Sequence, residues 1–191
     1  MGSTYLSDPL IFLIDTIFSL YILAVALRFL LQWSHADFYN PVSQVIVKIT
    51  HPPLRLLRRI VPPLGKVDTS ALLLLMLLQM FSDFSIFAIK GVMVGLPALM
   101  IISLTQLMSL FINIFIFMIF ARAILSWIAI GHHNAATSIL YSLSEPVLRF
   151  FRRMTPDLGG IDLSPLVALI FLQLLKMIIL PPLHQLASLI G

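Results

Sequence analysis

The chain is 191 residues long, 60% hydrophobic and 10% charged, with a formal net charge of +4 and a mean hydropathy of +1.05. A soluble domain is about 45–50% apolar and about 25% charged, so these values exclude a soluble globular enzyme, a disordered chain and a nucleic-acid module built on surface charge. The chain has no cysteine, which removes disulfides, thiolate catalysis and thiolate metal sites.

A bilayer core about 30 Å thick takes roughly 20 apolar residues of helix. Leu10 to Trp33 is a first predicted span, with Asp15 and Arg28 as its charges. It lacks the basic n-region of a signal peptide, and its apolar stretch exceeds the usual h-region. Asn40-Pro41 then reads as an N-cap followed by proline at the first helical position. Val42, Val45, Ile46 and Ile49 fall at i, i+3, i+4 and i+7. That spacing predicts a short amphipathic helix lying at the membrane interface, interrupted at Pro52. Ala71 to Lys90 is the second span and Pro97 to Trp127 a long third one. After Asn134, Ile139, Leu140 and Leu143 repeat part of the amphipathic stripe, with Pro146 as its interruption. Pro165 to Leu180 is a shorter fourth span, closed by Pro181 and Pro182, which withhold helical donors. Ser164-Pro165 is a cap signal for this span, and Ser70 holds the equivalent place before the second. The fold class expected is an all-α membrane protein.

The loop after the first span carries Lys48, Arg55, Arg58, Arg59 and Lys66, and the loop after the third carries Arg149, Arg152 and Arg153. The N-terminal eight residues and the tail after Pro181 carry no Lys or Arg, and Lys90 stands at the edge of the remaining link. The positive-inside rule places both basic loops in the cytoplasm and both termini outside.

The two halves repeat. Arg28 and Trp33 match Arg122 and Trp127 at an offset of 94, which holds without a gap to Ser70 and Ser164. Pro52, Leu54, Arg55, Arg58, Arg59, Pro62, Leu64, Gly65, Asp68 and Ser70 all recur at that offset, as do Asn40 and Gln79. Residues 1–94 and 95–191 are therefore two units, each a helical hairpin with a basic loop, inserted in the same direction.

The series R-x4-W, then N, then P-x-L-R-x2-R-R-x2-P-x-L-G-x2-D-x-S resembles the YggT family, also called YlmG, over nearly the whole chain. The resemblance implies an integral protein of the bacterial inner membrane with no assigned catalytic residue. It implies a link to osmotic-stress tolerance and ion homeostasis through bacterial relatives. Through chloroplast relatives it implies haem attachment in cytochrome assembly and nucleoid organisation. Many members have one repeat, which implies that two units associate. Pro63 and Lys66 replace Asp157 and Gly160 of the second repeat, so the first loop is expected to turn differently.

Within each loop three arginines stand at i, i+3 and i+4: Arg55, Arg58 and Arg59, then Arg149, Arg152 and Arg153. Guanidinium forks suit lipid phosphates, with Leu54, Leu57 and Phe151 as anchors in the acyl boundary. The plainer reading is a topogenic signal and surface anchor; docking of anionic phospholipids or a membrane-protein partner is the functional one. Nucleic acid is not expected, because three arginines in a loop make a weak footprint for it. At the same membrane level, Arg28 is expected to clasp Asp68 and Arg122 to clasp Asp162. The alternative is that each arginine snorkels to headgroups.

Each span also carries a polar stripe. Ser19, Gln79, Asn113 and Gln173 lie nine residues from Arg28, Ser70, Arg122 and Ser164, about 13 Å deep. Asp15, Asp83, Ser109 and Lys176 lie slightly deeper. Such groups rarely face lipid, so a common interior is expected, with Asp83 and Lys176 as the ion pair and Asp15 as a spare carboxylate. The layer is either hydrogen-bonded glue between spans or a relay or permeation path. His132-His133 lacks the spacing of a metal site, the five histidines are placed outside the spans, and no cofactor is expected.

The expected function is a non-catalytic inner-membrane scaffold or assembly and envelope-homeostasis factor. The alternatives are a small ion channel or transporter using the polar layer, and a haem-related assembly factor. A membrane-protein partner and a homo-oligomer are the two protein associations considered.

Overall fold

Apolar runs with a hydrogen-bonding need that lipid cannot meet must become helices, and the computed structural model is helical with no strand among its described residues. These are residues 3–62, 67–128, 134–155 and 162–190. Pro63, Leu64, Gly65, Lys66, His132, His133, Asp157 and Gly160 lie outside them, as does the side chain of Trp127.

Six helices follow in order: α1 Ser3–Trp33, α2 Pro41–Leu57, α3 Thr69–Ile89, α4 Leu96–Ile128, α5 Ala135–Arg152 and α6 Ser164–Ile190. Helices α1, α3, α4 and α6 are long and apolar enough to cross a membrane. At 33 residues, α4 is about 50 Å long, well beyond one bilayer core. Helix α1 packs on α3, α3 on α4, and α4 on α6, while α2 and α5 lie against the span ends. The end that carries α2 and α5 is called here the basic end.

Three expectations about helix ends are corrected. Helix α6 does not stop at Leu180 but runs through Pro181 and Pro182 to Ile190. Each proline removes one backbone bond, yet the turns on either side bury Leu180 and Ala187, and that packing carries the helix onward. Likewise α2 continues through Pro52 and Pro53, and α5 through Pro146. Just beyond these prolines Leu54 and Leu148 are fully buried, so inward packing again overrides the break. Helix α1 begins at Ser3, with Pro9 inside it, earlier than Leu10.

The main core joins Ile22, Val25 and Leu31 of α1 with Leu75 of α3, Leu107 and Ile114 of α4, and Ile139 and Leu143 of α5. A second cluster around Ile119, Leu148, Phe151, Ala168 and Leu172 belongs to the second repeat. The first core thus recruits residues of both halves, so the two repeats are interlocked. Phe29 on Phe111 and Trp33 on Phe115, with ring centroids 5.8 and 6.2 Å apart, add to this seam.

Candidate functional site

Two sets of polar side chains stand out from this apolar frame. The first ties the amphipathic helices to the spans at the basic end. Arg28 is 6% exposed and donates through Nη1 to Thr50 Oγ1 at 3.0 Å and to the Val47 carbonyl at 3.1 Å. Thr50 in turn donates to the Ile46 carbonyl at 2.6 Å. In the second repeat Arg122 donates to Ser144 Oγ at 3.0 Å, and Ser144 to the Leu140 carbonyl at 2.7 Å. Thr50 and Ser144 are themselves 94 positions apart, so the repeat has preserved a whole relay of guanidinium, hydroxyl and carbonyl. Arg122 also pairs with Glu145 at 2.8 Å and sits 4.6 Å over the Tyr141 ring.

The expected Arg28–Asp68 and Arg122–Asp162 clasps are therefore replaced by others. Asp68 pairs with Arg58, and Asp162 with Arg152 at 3.0 Å. The reason is the uninterrupted course of α2 and α5. Each helix crosses in front of its span arginine and carries a second arginine on to the start of the next span. The aspartates, rather than the serines, also meet the free backbone donors there. Asp68 accepts from Ala71 N at 3.3 Å and Asp162 from Ser164 N at 2.9 Å. Ser70 instead donates to the Val61 carbonyl at 2.6 Å. Burial pushes the Asp162 carboxyl up, but hydrogen bonds from Ser164 and the adjacent Arg152 guanidinium outweigh it and hold the carboxyl below the usual range.

The arginine triplets consequently divide. Arg58 and Arg152 engage the aspartates, whereas Arg55, Arg59, Arg149 and Arg153 are exposed. Leu54 and Phe151 are buried among protein side chains rather than free to anchor in lipid. On α2 the inward face is made by Ser43, Thr50 and Leu54, leaving Val42, Val45 and Ile49 outward. On α5 the corresponding stripe residues Ile139 and Leu143 are buried, so the two amphipathic helices dock to different depths.

The second set is a cleft of about 290 Å³ lined by polar groups from all four spans. Asp15 and Ser19 come from α1, Gln79 from α3, Gln106, Ser109 and Asn113 from α4, and His184 from α6. The structure thus brings together Asp15, Gln79 and Asn113 as the stripe predicted, but not Asp83 with Lys176. Asp83 is buried and accepts from Ser103 at 2.7 Å and Gln79 at 3.3 Å. Lys176 donates to Asn113 at 2.8 Å. The ion pair is not made because α3 and α6 each pack on α4, where each charge finds a neutral partner. Gln173 is exposed and outside the cleft, whereas His184, placed in the tail by the proline signal, belongs to α6 and the cleft wall.

Sequence reasoning missed Thr50, Ser144, Glu145 and Gln106. The two hydroxyls carried a usable signal, a polar position conserved at the same offset as the arginines. Gln106, hydrogen-bonded to Gln79 across α3 and α4, has no counterpart in the first repeat, so repetition did not mark it.

A family model described as CCB3/YggT matches residues 7–89 and again 101–183. Its two matches stand 94 residues apart, the offset of the internal repeat. A protein of Pseudomonas aeruginosa is 40% identical over 188 residues, covering 97% of this chain and 94% of that one. The Escherichia coli K12 protein YggT is 35% identical over 170 residues, covering 89% and 88%. The ycf19 protein of Porphyra purpurea is 32% identical over 69 residues, which cover 36% of this chain and 73% of that one. No solved structure matches the chain.

Proposed function

The chain belongs to the CCB3/YggT family, and on that premise we propose that it is a non-catalytic scaffold of the bacterial inner membrane, serving assembly and envelope homeostasis. In this reading the basic end faces the cytoplasm, both termini lie outside, and the link to osmotic tolerance is shared with the family. One observation carries it. Both amphipathic helices are fastened inward by Arg58–Asp68 and Arg152–Asp162, while Arg55, Arg59, Arg149 and Arg153 are left exposed. Helices held in this way present their outward guanidinium groups as a fixed platform for anionic headgroups, worth about 1 kcal/mol per basic residue.

The test replaces these four exposed arginines with glutamate and measures, for the purified protein, the preference for phosphatidylglycerol over phosphatidylcholine. The expected result is loss of that preference, together with failure to restore growth of a deletion strain at high osmolarity. An unchanged lipid preference removes the platform.

The polar cleft favours a second reading, passage of an ion through the bundle. Against it, Val25 and Ala26, which lie between the cleft residue Ile22 and Arg28 along α1, and Leu75, between Ser70 and Gln79 along α3, are buried apolar side chains. Flux through proteoliposomes that falls in Asp15→Asn and Asp83→Asn variants would favour conduction; absent flux leaves the scaffold.

A further inference from the structure

We propose that a second copy of this chain covers the polar cleft, with the two copies related by a two-fold axis. This pairing goes beyond the scaffold reading and does not depend on it.

The argument begins with solvation. Asp15, Ser19, Gln106, Asn113 and His184 line the cleft and are all exposed, yet every one lies in a helix segment apolar enough to cross a membrane. Asp15 is thirteen residues from Arg28 along α1, about 20 Å by helical rise, which puts it well away from the headgroups at the basic end. Acyl chains cannot hydrogen-bond, so an unsatisfied polar group in hydrocarbon is strongly disfavoured. Polar residues in spans accordingly face other protein or a water-filled cavity.

A single copy does not satisfy these groups. Among the described residues Asp15 accepts one long bond, from Ser19 at 3.5 Å, although an ionised carboxylate offers about four acceptor sites. Lys176 uses its ammonium on Asn113 at 2.8 Å and has further protons to donate. Gln106 and His184 add donors on the same side. An acceptor-rich carboxylate and a surplus of donors thus share one open face.

That combination identifies the occupant. A two-fold interface brings one patch against its own copy, so residue i meets j and j meets i. A face carrying only acidic groups would repel itself; this one sets the Asp15 carboxylate of each copy against the donors of the other. The α1 edge carries the acceptor and the α6 edge carries His184, which suits exchange across an axis running along the cleft.

The absence of cysteine gives engineered thiols no background. Ser19→Cys places a thiol at the cleft; Ile17→Cys places one about 200° round α1, at a position 56% exposed. Purified protein reconstituted in liposomes is treated with a short bismaleimide, and subunits are counted in vesicles by single-molecule photobleaching. Ser19→Cys is expected to give a linked dimer, Ile17→Cys to remain unlinked, and Asp15→Ala to lower the counted dimer several-fold. Asp15→Asn, checked for wild-type helicity, guards against misfolding and is expected to act in the same direction. Equal linking at both positions, monomers at all protein-to-lipid ratios, or a dimer insensitive to both Asp15 variants would overturn the proposal.

Discussion

Arg28 reaches the Thr50 hydroxyl at 3.0 Å, so a cation at the end of the first span is held by a neutral oxygen on the next helix. Thr50→Val keeps the volume but removes that oxygen. A charged group left short of a partner costs about 1–3 kcal/mol, so thermal unfolding in detergent should show a loss of about 2 kcal/mol. Thr50→Ser should remain near the wild type, because Ser144 does the same work for Arg122 in the second repeat.

The two aspartate pairs should differ in weight. The Asp68 side chain is 1% exposed and that of Asp162 is 45% exposed. Removing one partner of a buried pair costs about 3–5 kcal/mol, whereas an exposed pair contributes about 0–1 kcal/mol. Arg58 is itself partly exposed, so Asp68→Ala is expected near the lower figure, about 3 kcal/mol. Asp162→Ala should cost less than half of that in the same unfolding assay.

Acid should release the second pair before the helices unfold. Because the Asp162 carboxyl titrates below its ordinary range, its contribution is complete above an unfolded value of about 3.9 and is lost as pH falls through the lower folded value. The melting-temperature gap between wild type and Asp162→Asn should therefore be constant near neutrality and shrink below about pH 4. A gap that widens in acid contradicts the assignment.

Asn40 has two duties and Asn134 one. Asn40 caps α2 and also donates through Nδ2 to the Ala135 carbonyl at 2.7 Å, across the two repeats. Asn134 caps α5 through Thr137. Each cap is worth about 1 kcal/mol, and the cross-repeat bond adds about 1 kcal/mol. Asn40→Ala should thus destabilise by roughly twice as much as Asn134→Ala in chemical or thermal unfolding.

Much of the molecule is legible without coordinates. Arg28 and Arg122, Asp68 and Asp162, and Asn40 and Asn134 announce themselves by recurring at one offset, and all six occupy paired structural positions. The partners were less legible. Asp68 has Arg28 and Arg58 to choose between, and the choice rests on whether α2 bends at Pro52 or passes through it. Local propensity favours the bend; burial of Leu54 overrides it. The prolines of α6 misled for the same reason, and His184 was misplaced with them.

Sequence alone was sufficient for four spans, a duplicated hairpin, a basic end and a polar stripe on each span. These follow from constraints that act along the chain: bilayer thickness, scarcity of charge and helical period. Tertiary structure alone decided which arginine takes which aspartate, why Asp83 meets Ser103 instead of Lys176, and how Asp15 comes to share a cleft with His184. Spacing within a helix settles which residues share a face. Which faces meet depends on how whole helices pack, and that is settled by the buried side chains between them.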